Sequence, residues 1–124
     1  MAKNVLIVDD NPYHRQIFTA VLGFYGYQIS EAATGAQAIQ KALSAKPSLI
    51  LMDLELPDMS GTAVTRVIKS DPLTVHIPIV GCSAFLGSEW RERALAAGMV
   101  AYFSKPMSAD LINAIIQKFI LPER

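Results

Sequence analysis

An α/β fold built on a parallel sheet is what this sequence predicts, and three observations predict it. Short, nearly continuous apolar runs recur at residues 5–8, 49–52, 77–82 and 100–103. Each is followed by a stretch with apolar residues at helical spacing. The alternation of strand and helix is strict, and strands apolar on both faces belong in a sheet covered on both sides. Each run also ends at a polar residue capable of chemistry: Asp9-Asp10, Asp53, Ser83 and, after Ser104, Lys105.

The first strand, 5–8, gives way to Asn11-Pro12, an N-cap followed by proline at the first helical position. The helix is expected to run to Tyr25, with Phe18, Val21, Leu22 and Tyr25 toward the core, and to end at Gly26. Residues 27–31 form the second strand. A short helix over 35–45 buries Ala38, Ile39, Ala42 and Leu43, and Pro47 marks its exit. The third strand, 49–52, delivers Asp53. A loop with Pro57 and Gly61 opens a helix carrying Val64, Val67 and Ile68, which Asp71-Pro72 closes. The fourth strand delivers Ser83, and the fourth helix spans 88–97 and stops at Gly98. After the fifth strand, Ser108 caps a last helix with Leu111, Ile112, Ile115, Ile116 and Phe119 along one side.

With 124 residues and no linker, repeat or low-complexity segment, residues 1–124 are expected to form one domain. A stand-alone protein is expected, since Met1 comes directly before the first strand and little chain follows the last helix. Hydrophobic content of 52% argues against disorder. Eleven basic and eleven acidic residues balance without a basic block, so neither nucleic acid nor a membrane is the expected partner. The N-terminal apolar run is too short for a signal peptide or a span. Cys82, the single cysteine, reads as a small core residue and fits a reduced, cytoplasmic setting. His14 and His76 have no ligand-spaced cluster around them, so no histidine metal site is expected.

Parallel strands end on one edge of the sheet, and α/β folds place their chemistry there. Asp9, Asp10, Asp53, Ser83 and Lys105 should therefore meet in one cleft, a set suited to phosphoryl transfer. The Asp53 carboxylate can attack phosphorus. Asp9 and Asp10 beside it would repel it unless neutralised, and a hard, oxygen-seeking cation such as Mg²⁺ is the natural remedy. Plainer roles exist for each: an N-cap for one of the acidic pair, a turn for Ser83, a solvated loop for Lys105.

Four segments carry a resemblance to a known family. They are Val8-Asp9-Asp10-Asn11, the run Leu-Met-Asp-Leu-Glu-Leu-Pro-Asp-Met-Ser-Gly at 51–61, Ser83-Ala84 and Lys105-Pro106. Together, in order and over essentially the whole chain, they resemble response-regulator receiver domains of two-component signalling, of the single-domain type. The resemblance implies a flavodoxin-like (βα)5 three-layer sandwich with strand order 2-1-3-4-5. It implies Asp53 as phosphoacceptor and Mg²⁺ held by Asp10, Asp53 and the Glu55 backbone carbonyl, with Asp9 acting through water. Lys105 and Ser83 would contact the phosphoryl group, and Pro106 would be a cis-proline aiming Lys105 inward. Tyr102 matches the switch aromatic that follows the Ser83 hydroxyl. The implied partners are a histidine kinase or histidine phosphotransfer protein and a downstream protein, met on a face of the fourth helix, fifth strand and fifth helix bearing Trp90 and Tyr102. Such a protein catalyses only its own phosphorylation and dephosphorylation. It is a switch, not an enzyme of outside substrates.

Some readings stay open at this level. Glu55 and Phe85 flank the path of an attacking water, and Phe85 either shields the acyl phosphate or packs on the following helix. Trp90 suits core packing as well as a partner face, and Tyr102 could be an ordinary strand tyrosine. A haloacid-dehalogenase-like phosphatase would need a second aspartate two residues after the first-strand nucleophile, where Asn11 stands. A flavodoxin would have to hold a phosphate against Asp9-Asp10.

Overall fold

The computed structural model describes residues 3–85 and 87–122. The strands are β1 (Asn4–Val8), β2 (Gln28–Ala32), β3 (Leu49–Met52), β4 (Ile79–Ser83) and β5 (Ala101–Ser104). They alternate with α1 (Pro12–Phe24), α2 (Gly35–Ser44), α3 (Gly61–Ser70), α4 (Ser88–Ala97) and α5 (Ala109–Phe119). All pairings are parallel and the order is β2-β1-β3-β4-β5, the expected flavodoxin-like sheet.

Side chains alternate across a strand, and here both sets are apolar. Leu6, Val8, Ile50, Met52 and Ile79 share one face with Ala38, Ala42, Val64, Ile68 and Ala94 of α2, α3 and α4. Val5, Ile7, Leu49, Leu51, Val80 and Cys82 share the other with Phe18, Leu22, Ile112, Ile115 and Ile116 of α1 and α5. This two-sided burial is why the strands read as unbroken apolar runs. Each fully buried Leu or Ile contributes about 1.5–3 kcal/mol. Burial pushes the Cys82 thiol up to about 12, so it serves as a core residue.

Helix starts follow local chemistry. The side-chain oxygens of Asn11, Thr34, Ser60 and Ser108 accept the N–H groups of Tyr13, Gln37, Ala63 and Leu111, satisfying donors that the first turn leaves free. Helix α4 differs: its N-cap is Gly87, at φ 109°, with no side-chain bond. Gly98 closes it in the left-handed conformation, as the sequence led us to expect.

Several local expectations need correction. α1 ends at Phe24, and Tyr25, expected in the core, is its half-exposed C-cap. Leu43, Val67 and Leu111 are exposed, although each was assigned to a buried stripe. Each adjoins a buried residue (Ala42, Ile68, Ile112), and a sequence neighbour lies about 100° round the helix. β2 starts one residue later than expected, and β4 begins after Pro78, which has no N–H for the ladder. Among the described residues no helix is long and apolar enough to cross a membrane.

Candidate functional site

The carboxyl ends of β1, β3, β4 and β5 open onto a cleft of about 490 Å³ lined by Asp9, Asp10, Asp53, Ser83, Phe85 and Lys105, among others. Each side chain is placed by the strand before it. Asp9 follows β1, and its N–H donates to Ala32 O at 3.0 Å; Asp53 follows β3, and its N–H donates to Val8 O at 2.9 Å. The two carboxylates are thereby fixed side by side. Asp10 is exposed at the rim, while Asp9, Asp53 and Ser83 are buried.

Oxygens of Asp9, Asp10 and Asp53 lie within 4.8 Å of one another. An all-oxygen set of this charge fits a hard divalent cation such as Mg²⁺. The Lys105 ammonium approaches from the other side, donating to Asp9 Oδ2 and lying 3.5 Å from Asp53 Oδ2. Its backbone N–H is anchored on Ser83 O at 2.7 Å, and the Lys105–Pro106 bond is cis. Burial raises the Asp53 carboxyl above its ordinary value, opposed by the Lys105 charge and reinforced by that of Asp9. For Lys105, burial favours the neutral amine, but the Asp9 hydrogen bond and nearby negative charge outweigh it and hold the ammonium form.

The loop after Asp53 is built around its carboxylate and backbone. The Glu55 N–H donates to Asp53 Oδ1 at 3.3 Å, and the Gly61 N–H donates to Leu54 O at 2.8 Å. Gly61 passes so close that a Cβ would fall 2.0 Å from Asp53 O, a contact only glycine permits. Across the cleft Ser83 Oγ has a long contact, 3.5 Å, from the Phe85 N–H. Tyr102 is buried rather than displayed, and its hydroxyl donates to Phe85 O at 2.6 Å. Phe85 lines the cleft and also stacks on Trp90, centroids 4.3 Å apart and planes 14° from parallel. Phe85 therefore packs on the following helix while one face of it borders the cleft. Trp90 is half-buried, with the Arg93 guanidinium 4.9 Å from its ring centre.

Two site residues escaped the sequence reading. His14 Nδ1 lies 3.2 Å from Asp9 Oδ2 and 3.1 Å from Lys105 Nζ, so this histidine belongs to the cleft. Its position one turn into α1 was the available signal, since the first turn of that helix faces the Asp9 end of the site. Asp58 Oδ1 and Oδ2 accept the N–H groups of Gly35 and Ala36 at 2.8 and 3.0 Å, tying the loop after Asp53 to the start of α2. Those two bonds hold its carboxyl below the ordinary value. The pairing spans distant segments, so no local pattern announces it.

Residues 5–117 match the family model for the response regulator receiver domain. The chain is 35% identical over 120 residues to the polar-differentiation response regulator DivK of Brucella anthropi, covering 97% of this chain and 98% of the relative. In structure it resembles the chemotaxis protein CheY4 of Vibrio cholerae (TM-score 0.91, 25% identity, 97% of this chain and 100% of that one). It also resembles the receiver domain of the sensor histidine kinase PA1611 of Pseudomonas aeruginosa (TM-score 0.89, 32% identity, 96% and 98% covered), whose structure has a magnesium ion coordinated in its active-site cleft. A receiver-family match over most of the chain, on the sheet and acidic cleft described above, settles the assignment: this chain belongs to the response regulator receiver domain family.

Proposed function

We propose that this receiver accepts a phosphoryl group on Asp53 and uses it to switch protein partners. One observation carries the reading: the buried Asp53 carboxylate lies between two further carboxylates and an inward-pointing ammonium, in a cleft open to solvent. An Asp53 oxygen attacks phosphorus, the bond from phosphorus to the donor breaks, and the leaving group keeps that electron pair. Hydrolysis of the acyl phosphate then returns the carboxylate, so Asp53 is consumed and regenerated. The protein is a switch that acts on itself.

Asp10, Asp53 and the Glu55 carbonyl would hold Mg²⁺, with Asp9 acting through water. When bound, the ion offsets the charge of the crowded carboxylates and of the incoming phosphoryl group. Lys105, already 3.5 Å from Asp53 Oδ2, supplies a mobile positive charge to a phosphoryl oxygen. Ser83, whose hydroxyl has a long 3.5 Å contact from the Phe85 N–H, can turn and donate to another. The donor is a histidine kinase or histidine phosphotransfer protein and the target a further protein, in the cytoplasm. The target meets the face of α4, β5 and α5, where Trp90 lies and where Tyr102 takes part by moving with Ser83.

Intact-mass measurement after incubation with a small acyl-phosphate donor and Mg²⁺ tests the reading. One phosphoryl group should be gained, removable by hydroxylamine, and lost both in Asp53→Asn and on chelation of the metal. Unchanged labelling of Asp53→Asn would refute it.

A further inference from the structure

Asp9 is 2% exposed, and its carboxylate is closely partnered. Oδ1 accepts the Asn11 N–H at 2.9 Å, while the Lys105 ammonium and His14 Nδ1 converge on Oδ2. The network assigns the histidine proton. Asn11 Oδ1 already accepts the Tyr13 N–H at 2.9 Å, so the amide turns its Nδ2 toward His14 Nε2, 3.5 Å away. Nε2 is then the acceptor, and in the neutral ring Nδ1 carries the hydrogen and donates to Asp9. Lys105 Nζ, 3.1 Å from Nδ1, directs its own hydrogen to the same Asp9 Oδ2, its shorter contact. Lys105 and His14 thus place two donors on one buried oxygen.

The proposed chemistry asks Lys105 to leave that oxygen for a phosphoryl group on Asp53. A buried carboxylate stripped of its partner is strongly unfavourable. His14 sits on α1, while Lys105 sits on the loop between β5 and α5, so the imidazole need not follow when Lys105 swings away. We infer that His14 is a positioning residue: it keeps Asp9 Oδ2 hydrogen-bonded when Lys105 turns to the phosphoryl group, and so frees Lys105 to make that contact. This rests on the acceptor reading of Asp53 proposed above.

Two measurements test it. The first is a double-mutant cycle on the metal-free protein, read by thermal denaturation, with His14→Ala and Lys105→Ala. His14→Ala should lower Tm by more in the Lys105→Ala background than in the wild type, because Asp9 Oδ2 then loses its second side-chain donor. Additive shifts would overturn the inference. The second is affinity for beryllofluoride in the presence of Mg²⁺. His14→Ala should weaken it roughly tenfold, the scale of one hydrogen bond to a charged group. His14→Asn should restore it, because the amide nitrogen can stand where Nδ1 stood. Unchanged affinity in His14→Ala, with wild type binding the mimic, overturns this inference alone. A wild type that does not bind the mimic overturns the acceptor reading, and this inference with it.

Discussion

Beyond β3 the chain runs into a capped, well-buried helix, whereas beyond β4 it runs into a helix with no side-chain cap and few buried residues. Asp9 and Asp53 are fixed by backbone bonds of 3.0 and 2.9 Å to neighbouring strands. The loop after Asp53 leads into α3, which has a Ser60 cap and buries Gly61, Val64, Thr65 and Ile68. Across the cleft, the Phe85 N–H reaches Ser83 Oγ only at 3.5 Å, and α4 lacks a side-chain cap and buries only Ala94 and Ala97. Sparse buried contacts mark segments that open at low cost. The comparison teaches a division of labour. On the function proposed above, one side presents the acceptor in a set geometry, and the other rearranges when charge is added.

The largest expected effect attacks the fixed side. Gly61→Ala drives a methyl group into the backbone at Asp53 and should cost about 3 kcal/mol in a urea titration. A neutral result would mean that this loop is as adaptable as the other side.

Asp53→Asn should stabilise the metal-free protein, because the ionised carboxylate is desolvated and faces Asp9. A carboxyl raised in the folded state binds its proton more tightly there than when unfolded. Its contribution to stability is present below the ordinary value of 3.8 and is lost as pH rises through the raised folded value. The Tm gain of Asp53→Asn should therefore be greatest near neutrality and shrink as pH falls through that window. A gain independent of pH would point to packing instead of charge.

On the movable side, Phe85 joins the cleft to Trp90 by direct stacking. Phe85→Ala should admit water and speed loss of the acyl phosphate, lowering the barrier by about 1 kcal/mol, since no reacting group is removed. Equal lifetimes would leave Phe85 a packing residue only.

The smallest effects sharpen the contrast most cleanly. Ser60→Ala removes the α3 cap and should cost about 1 kcal/mol. Ser88→Ala, at the uncapped start of α4, should change stability by less than about 0.5 kcal/mol. Equal costs would erase the distinction between the two helices.

The strand ends were legible because apolar runs with a polar terminus have few other readings in an alternating α/β chain. Asp9, Asp53, Ser83 and Lys105 could be assigned to one cleft on that ground, and they share it. Helix faces were read less well at the edges of the buried stripe: Leu43 and Leu111 are as apolar as their buried neighbours, and only packing decides which of them faces solvent. His14 was dismissed because metal-ligand spacing was the wrong test for it. Its partners, Asp9 and Lys105, are brought together by the sheet and not by the sequence around it. The inward Tyr102 was hidden for a similar reason, since the carbonyl that holds it belongs to Phe85 in the loop after the neighbouring strand β4.

The emission of Trp90, the single tryptophan, tests the central claim most directly, because its ring stacks on Phe85, which lines the cleft on the loosely held side. Adding beryllofluoride to the Mg²⁺-loaded protein should change that emission as Ser83 and Tyr102 rearrange, beyond any effect of Mg²⁺ alone. Asp53→Asn should abolish the response, and Tyr102→Ala should blunt it while phosphorylation persists. A phosphorylated protein whose Trp90 emission matches that of the unphosphorylated form would contradict the account.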